Sequence, residues 1–183
     1  MSTKKGKFSN KDKIFMELAL NLAKARHGLT GINPSVGCVI VKNNEILSIG
    51  QTGFKGTPHA EFNAIKNSNE NLEGSKMYVT LEPCSHYGKT PPCTNIIIKN
   101  KIKEVVYAVE DIDKKVKGKT LKILQSKNIL VIKNLLKKEI NKFYTPYFFN
   151  RKNNLPFVTG KIAISRNNLI YSKDTKRISD IHT

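Results

Sequence analysis

Apolar residues near the start of the chain recur every three to four positions, which predicts a helix from residue 11 to about residue 27. Ser9 or Asn10 can cap its start, and Gly28 can end it. The apolar positions predicted to face the core are Ile14, Phe15, Leu18, Leu22 and Ala25. After this segment the helical spacing of apolar residues ends. Residues 36–41 and 45–49 are rich in β-branched side chains and flank a polar stretch at 42–44, which predicts a β-hairpin.

Short helical and strand-like segments alternate from residue 59 onward. The predicted helices cover residues 59–67, 93–100, 120–126 and 138–149. The predicted strands cover residues 77–81, 104–109 and 129–132. This alternation is typical of an α/β fold, in which helices pack on both faces of a sheet.

The predicted elements divide the chain into three regions. Residues 1–9 are rich in Lys and Ser and are predicted to be a disordered tail. Residues 10–150 are predicted to form one domain. Residues 151–154 are polar and are interpreted as a linker, and residues 156–165 are predicted to begin a new apolar strand. We therefore expect residues 151–183 to be a linker and the incomplete start of a second domain.

The composition narrows the setting in which this protein works. No apolar run approaches the roughly 20 residues of a membrane span, and the Lys-rich N-terminus lacks the apolar core of a signal peptide. Three cysteines, two of them in a metal pattern, give no disulfide framework. We therefore expect a cytoplasmic protein with no membrane partner.

The chain is strongly basic, with 32 Lys and Arg against 14 Asp and Glu and a net charge of +18. Such a balance could indicate nucleic-acid binding, or it could attract a small phosphorylated substrate. The lysines are scattered and form no Arg-rich cluster, which favours a compositional bias spread over solvated faces. A nucleic-acid partner is therefore not expected.

Three metal-ligating side chains lie within 35 positions, at His59, Cys84 and Cys93. One imidazole and two thiolates are typical zinc ligands, and three protein ligands leave a fourth tetrahedral position for water. Zinc lowers the pKa of bound water to about 7. Glu61 lies two residues past the histidine, where it can move protons for that water, as in the His-x-Glu and Pro-Cys pattern of zinc deaminases.

Two other interpretations of these residues stay open from spacing alone. A structural zinc site would need a fourth protein ligand, for which His86 is the nearest candidate. A non-catalytic zinc module that binds RNA would also have four protein ligands, and its binding would weaken steeply with salt.

Residues 80–94 resemble the zinc motif of the bifunctional riboflavin-biosynthesis deaminase–reductase family. Residues 33–37 and 58–61 match that family as well, and the resemblance covers about residues 12–165. The eight-residue gap between Cys84 and Cys93 distinguishes this family from other zinc deaminases, because cytidine and tRNA adenosine deaminases usually have only two residues between the two cysteines. A deaminase of a nucleotide or of tRNA adenosine is therefore the alternative enzyme.

The resemblance implies a three-layer α/β/α sandwich of the cytidine-deaminase type, with a central mixed sheet of about five strands. It implies hydrolytic removal of the 2-amino group of 2,5-diamino-6-ribosylamino-4(3H)-pyrimidinone 5′-phosphate, with release of ammonia. We also expect a homo-oligomer. Zinc would be held by His59, Cys84 and Cys93, with Glu61 as the catalytic residue. The positions that match the family's pyrimidine pocket are Asn33, His86 and Lys89.

Two departures from the family pattern qualify what it implies. Thr52 stands where family members usually carry a histidine, which puts one substrate contact in doubt. The family continues into an NADPH-dependent reductase domain, and Ala163 matches a cofactor-contacting position there. The family's Leu-Asp-Gly-Lys is replaced by Arg166-Asn167-Asn168-Leu169. We therefore expect NADPH to bind only where a complete reductase domain is present, and predict no reductase activity for these 183 residues.

Overall fold

A five-stranded sheet lies at the centre of the computed structural model, which describes residues 8–88, 90–113 and 116–168. The strands are β1 (Gly37–Lys42), β2 (Glu45–Gln51), β3 (Lys76–Leu81), β4 (Glu104–Val109) and β5 (Leu130–Lys133). Their order across the sheet is β2-β1-β3-β4-β5. β1 is antiparallel to both of its neighbours, whereas β3, β4 and β5 are parallel. The predicted mixed sheet of five strands is confirmed.

Six α-helices are present in the described part of the chain. They are α1 (Asn10–Ala25), α2 (Ala60–Lys66), α3 (Cys93–Lys99), α4 (Lys119–Gln125), α5 (Lys137–Phe143) and α6 (Thr145–Asn153). The single helix predicted over residues 138–149 is wrong, because Tyr144 separates α5 from α6. Pro146 lies in the first turn of α6, where the missing N–H is tolerated, but it cannot extend the hydrogen-bond ladder of α5.

The helices form one layer on each face of the sheet. Successive strand residues point to opposite faces. A Cβ atom added at Gly37 would meet the backbone of Ala19 in α1, whereas one added at Gly50, the partner of Cys38, would meet Ala60 in α2. Val79 pairs with Cys38, so the next residue, Thr80, points to the face that α1 covers. The hydroxyl of Tyr144, which follows α5, hydrogen-bonds Thr80 and therefore lies on that face as well. On the other face, α3 contacts α2 and belongs to the same layer. The predicted three-layer sandwich is therefore confirmed.

The start of α1 confirms one prediction and corrects another. Ser9 is the N-cap, and it forms a capping box with Asp12. The predicted core face is rotated, because Ile14 is 59% exposed and Ala25 is also exposed. The residues of α1 that are buried are Phe15, Met16, Ala19, Leu20 and Ala23. A period of 3.6 locates an apolar stripe only approximately, and the face that packs on the sheet also carries the partly buried ion pair of Asp12 and Lys76.

The two ends of the chain depart from the predicted regions. Phe8 packs against the core and Ser9 caps α1, while residues 1–7 lie outside the described residues. α6 runs three residues past position 150. The strand predicted over residues 156–165 is wrong, since this segment is unpaired and almost entirely exposed. A strand needs a hydrogen-bonding partner, and no described segment supplies one. The division into domains stays a prediction.

Within the described ranges, no helix combines the length and apolar character that crossing a membrane requires.

Candidate active site

His59, Cys84 and Cys93 come together beyond the carboxyl end of the central strand β3. The His59 Nδ1 atom lies 3.3 Å from Cys93 Sγ and 3.5 Å from Cys84 Sγ, and all three potential ligand atoms lie within 4.8 Å of one another. Zinc bonds of about 2.0–2.3 Å at tetrahedral angles place such atoms about 3.5–3.8 Å apart. The three side chains therefore fit one zinc ion.

Regular structure holds each of the three ligands. His59 is the N-cap of α2, Cys93 is the first residue of α3, and Cys84 follows three residues after the end of β3. The backbone N–H of Cys93 donates to Cys84 Sγ at 3.2 Å, and the N–H of Thr94 donates to the carbonyl of Cys84 at 3.2 Å. The thiol of Cys93, the imidazole of His59 and the Cys93 N–H together hold the pKa of Cys84 well below its usual range. Cys84 is thus prepared to act as a thiolate ligand.

The structural-site alternative needs a fourth protein ligand. Among the residues that the structure describes, the group that could hold a metal consists of His59, Cys84 and Cys93 only, and His86 does not join it. This ligand count is that of a catalytic site with an open position.

Glu61 lies in the first turn of α2, beside the cluster, and is only 4% exposed. Burial and the nearby thiolate of Cys84 raise the pKa of Glu61 and His59 lowers it, and together these effects bring it to about 7. A zinc ion in the cluster is a positive charge that favours the ionised carboxylate. Glu61 is therefore a buried carboxyl group that can exchange a proton near neutral pH.

A cleft of about 280 Å³ opens in front of the metal cluster. Its walls include Glu61, Asn33 and His86, so the structure brings these three predicted site residues together. His86 Nδ1 is buried and has no hydrogen-bond partner among the described atoms, which leaves it available to a ligand. Lys89 lies outside the described residues.

Asn33 is held against a glycine. Its Nδ2 atom donates to the carbonyl of Gly56 at 3.0 Å, which leaves Oδ1 as an acceptor. Gly56 has φ +92°, and a Cβ atom there would lie 2.6 Å from both Asn33 Nδ2 and the carbonyl oxygen of Thr30. Only glycine fits this position without displacing Asn33.

Thr52, which replaces the histidine of the family pattern, is almost fully buried in the cleft wall. Its hydroxyl accepts the N–H of Val36 at 2.9 Å and donates to the carbonyl of Pro34 at 3.2 Å. Thr52 thus supports the backbone just after Asn33.

Several cleft residues were not predicted from the sequence. The carboxylate of Glu82 accepts the backbone N–H groups of Asp111 and Gly118 and so holds the loop after β4. Glu82 belongs to the predicted zinc motif, and Asp111 follows a parallel strand, so both had a detectable signal. Arg151, on α6, also lines the cleft, but no sequence pattern indicated this. Ala163 lies in the exposed segment and does not line the cleft.

The fold and the site together define a class of protein. The chain matches the family described as the cytidine and deoxycytidylate deaminase zinc-binding region over residues 9–109. It therefore belongs to the cytidine and deoxycytidylate deaminase family, and its cofactor is zinc, held by His59, Cys84 and Cys93.

Particular relatives narrow this class. The diaminohydroxyphosphoribosylamino-pyrimidine deaminase of Buchnera aphidicola subsp. Schizaphis graminum is 42% identical over 146 residues, which are 80% of this chain and 99% of that protein. The riboflavin biosynthesis protein RibD of Haemophilus influenzae is 42% identical over 158 residues, 86% of this chain and 42% of that protein.

A solved structure of a related deaminase/reductase is also similar to this chain. The Thermotoga maritima diaminohydroxyphosphoribosylaminopyrimidine deaminase/5-amino-6-(5-phosphoribosylamino)uracil reductase superposes with a TM-score of 0.83 at 36% identity, covering 93% of this chain and 50% of that one. The chain thus spans about half the length of these two longer relatives.

Proposed function

We propose that this protein hydrolytically deaminates 2,5-diamino-6-ribosylamino-4(3H)-pyrimidinone 5′-phosphate in riboflavin biosynthesis, releasing ammonia. The observation that carries the proposal is the buried Glu61 beside a three-ligand zinc cluster, at one wall of a cleft that also contains Asn33 and His86. The full-length match to the Buchnera deaminase supports the choice of substrate.

The chemistry divides between the metal and Glu61. Zinc, when bound, supplies Lewis acidity that lowers the pKa of a water molecule to about 7. Glu61 removes a proton from the attacking water and delivers it to the ring nitrogen beside the amino-bearing carbon. After the C–O bond has formed, Glu61 carries the second proton to the amino group. The C–N bond then breaks, ammonia leaves and the carbon retains a carbonyl.

The cleft walls supply the groups that orient the ring. Asn33 offers a free amide oxygen, and His86 offers an unpartnered ring nitrogen. An amide and an imidazole can read ring nitrogens and carbonyls through directed hydrogen bonds. We assign Lys89 to the same pocket on the family pattern alone.

We also propose a cytoplasmic homo-oligomer. Three free cysteines, two of them in the metal cluster, suit a reducing compartment. The edge strand β2 exposes Ile46 and Ile49, which supports contact with a second copy. Sedimentation of the purified protein tests the oligomer.

Ammonia release from the pyrimidine phosphate is the direct test of the function. Glu61→Gln should retain zinc and lose about 10²–10⁴-fold in kcat, because proton transfer is lost while the ligands remain. Glu70→Gln, at an exposed loop position, is the matched control and should keep the parent rate. Unchanged turnover by Glu61→Gln would show that its assigned role is wrong.

The same assay separates the alternatives. A tRNA anticodon stem and free adenine and cytosine nucleotides are offered in parallel. If ammonia were released faster from the tRNA stem or from a free nucleotide, that compound, and not the pyrimidine phosphate, would be the substrate. Salt-sensitive RNA binding without any deamination would favour the non-catalytic module.

A further inference from the structure

We propose that Arg151 is a positioning residue that fixes the loop of residues 29–33 and, through it, Asn33. This inference rests on the proposed function, since it concerns how the cleft reads its substrate. The Arg151 guanidinium donates from its Nη2 atom to the carbonyl of Ile32 at 3.0 Å, joining residues 119 positions apart.

The loop that carries Asn33 has little packing behind it. Asn33 and Pro34 border the catalytic cleft on one side and a second cavity of about 340 Å³ on the other. The side chain of Ile32 is 81% exposed and so contributes little apolar burial. Besides the close contact between Asn33 and Gly56, hydrogen bonds therefore support this thin wall.

Those hydrogen bonds come from three directions. Within the loop, the Thr30 hydroxyl donates to the carbonyl of Asn33 at 2.8 Å. From the turn at Phe54–Gly56, the N–H of Lys55 donates to the carbonyl of Leu29 at 2.9 Å, and Gly56 accepts from Asn33. Arg151 supplies the connection to α6, at the residue immediately before Asn33.

Arg151 is itself oriented before it reaches the loop. Its guanidinium carbon lies 5.4 Å from the ring centroid of Tyr147, one turn earlier on α6. A planar guanidinium can stack on a ring and donate in its own plane at the same time, which lysine cannot do. Asp111 lines the same cleft; burial raises the pKa of its carboxyl group, and the positive charge of Arg151 acts to lower that pKa. The geometry therefore suits positioning of the protein's own loop.

Steady-state kinetics of Arg151→Ala is the first test. We expect KM to rise about 5- to 30-fold with kcat within about 2-fold, as for loss of a charge-assisted hydrogen bond that serves binding. Zinc content should not change, and Arg151→Lys should recover part of the loss. Lys152→Ala, the exposed neighbour on α6, should match the parent. A parent-like KM in Arg151→Ala would overturn the inference.

A double-variant cycle tests whether Arg151 acts through Asn33. If it does, Arg151→Ala should add little to the loss already caused by Asn33→Ala. Full additivity overturns the inference. The dephosphorylated nucleoside provides a second arm: an equal KM increase on both substrates supports positioning, and a loss confined to the phosphorylated substrate identifies Arg151 as a phosphate contact instead.

Amide hydrogen exchange makes the test independent of turnover. Arg151→Ala should accelerate exchange in residues 29–34 and leave α2 unchanged. Faster loop exchange in a protein that does not deaminate the pyrimidine phosphate would refute the proposed function and keep the positioning role. Unchanged loop exchange in an Arg151→Ala protein that deaminates the pyrimidine phosphate would refute the positioning role and keep the proposed function.

Discussion

The metal end of the cleft and the wall that carries Asn33 are built differently. His59 and Cys93 begin helices, Cys84 closely follows a central strand, and a backbone N–H links Cys93 to Cys84. Asn33 instead lies in a loop between two cavities. The metal end is thus part of the sandwich, whereas the Asn33 wall depends on contacts from distant segments. We therefore expect substitutions at the metal end to abolish deamination and substitutions at the Asn33 wall to weaken substrate binding.

The largest expected effect comes from removing a metal ligand. Cys93→Ala should lose stoichiometric zinc and at least about 10³-fold in activity, because the pKa of the water nucleophile returns from about 7 toward about 15.7. Metal analysis and ammonia release check this outcome. Cys38→Ala removes a buried cysteine outside the cluster and should keep its zinc. Full activity of Cys93→Ala would remove the distinction between the two regions.

An intermediate effect is expected at the Asn33 wall. Gly56→Ala places a Cβ atom 2.6 Å from Asn33 Nδ2 and should lower kcat/KM about 10- to 100-fold with zinc retained, a loss of about 1.4–2.7 kcal/mol in transition-state binding.

Gly74→Ala is the matched control for Gly56→Ala. Gly74 has φ +78°, but an added Cβ atom there meets nothing within 4 Å. It therefore introduces similar backbone strain without touching Asn33. Equal kinetic losses in the two variants would show that strain, and not displacement of Asn33, is responsible.

The smallest effect is expected away from both regions, at Asp12. Burial raises the pKa of Asp12, but hydrogen bonds from Lys76, Tyr78 and Ser9 outweigh burial and lower it below its usual value. A lowered folded-state pKa stabilises the fold above about pH 4, and the contribution is lost as pH falls through the folded-state value. Asp12→Asn should therefore cost about 1–2 kcal/mol at neutral pH, with kcat and KM unchanged.

Urea unfolding over a range of pH checks the Asp12 prediction. The difference between Asp12→Asn and the parent should stay constant from about pH 7 to about pH 5 and narrow as the pH falls below about 4. A difference that stays constant over the whole range would show that Asp12 contributes through shape and hydrogen bonding and not through its charge.

The sequence predicted some elements well because their patterns are local. The hairpin of β1 and β2 follows from two β-branched runs around Asn43 and Asn44, both of which adopt positive φ. The face of α1 was predicted only in part, since Phe15 is buried as expected, whereas Ile14 is exposed. The other buried positions of α1 were not predicted; they are Met16, Ala19, Leu20 and Ala23. Several rotations of a helix can satisfy one periodic pattern, and only the packed sheet selects among them.

The order of helices and strands and the three zinc ligands followed from residue type and spacing, because propensity, periodicity and ligand chemistry are properties of short segments. Tertiary structure decided that Thr52 supports a loop, that Gly56 accommodates Asn33 and that Arg151 reaches Ile32. Hydrogen bonds between residues as far apart as 151 and 32 leave no local pattern, since they arise only when the folded sheet brings those segments together.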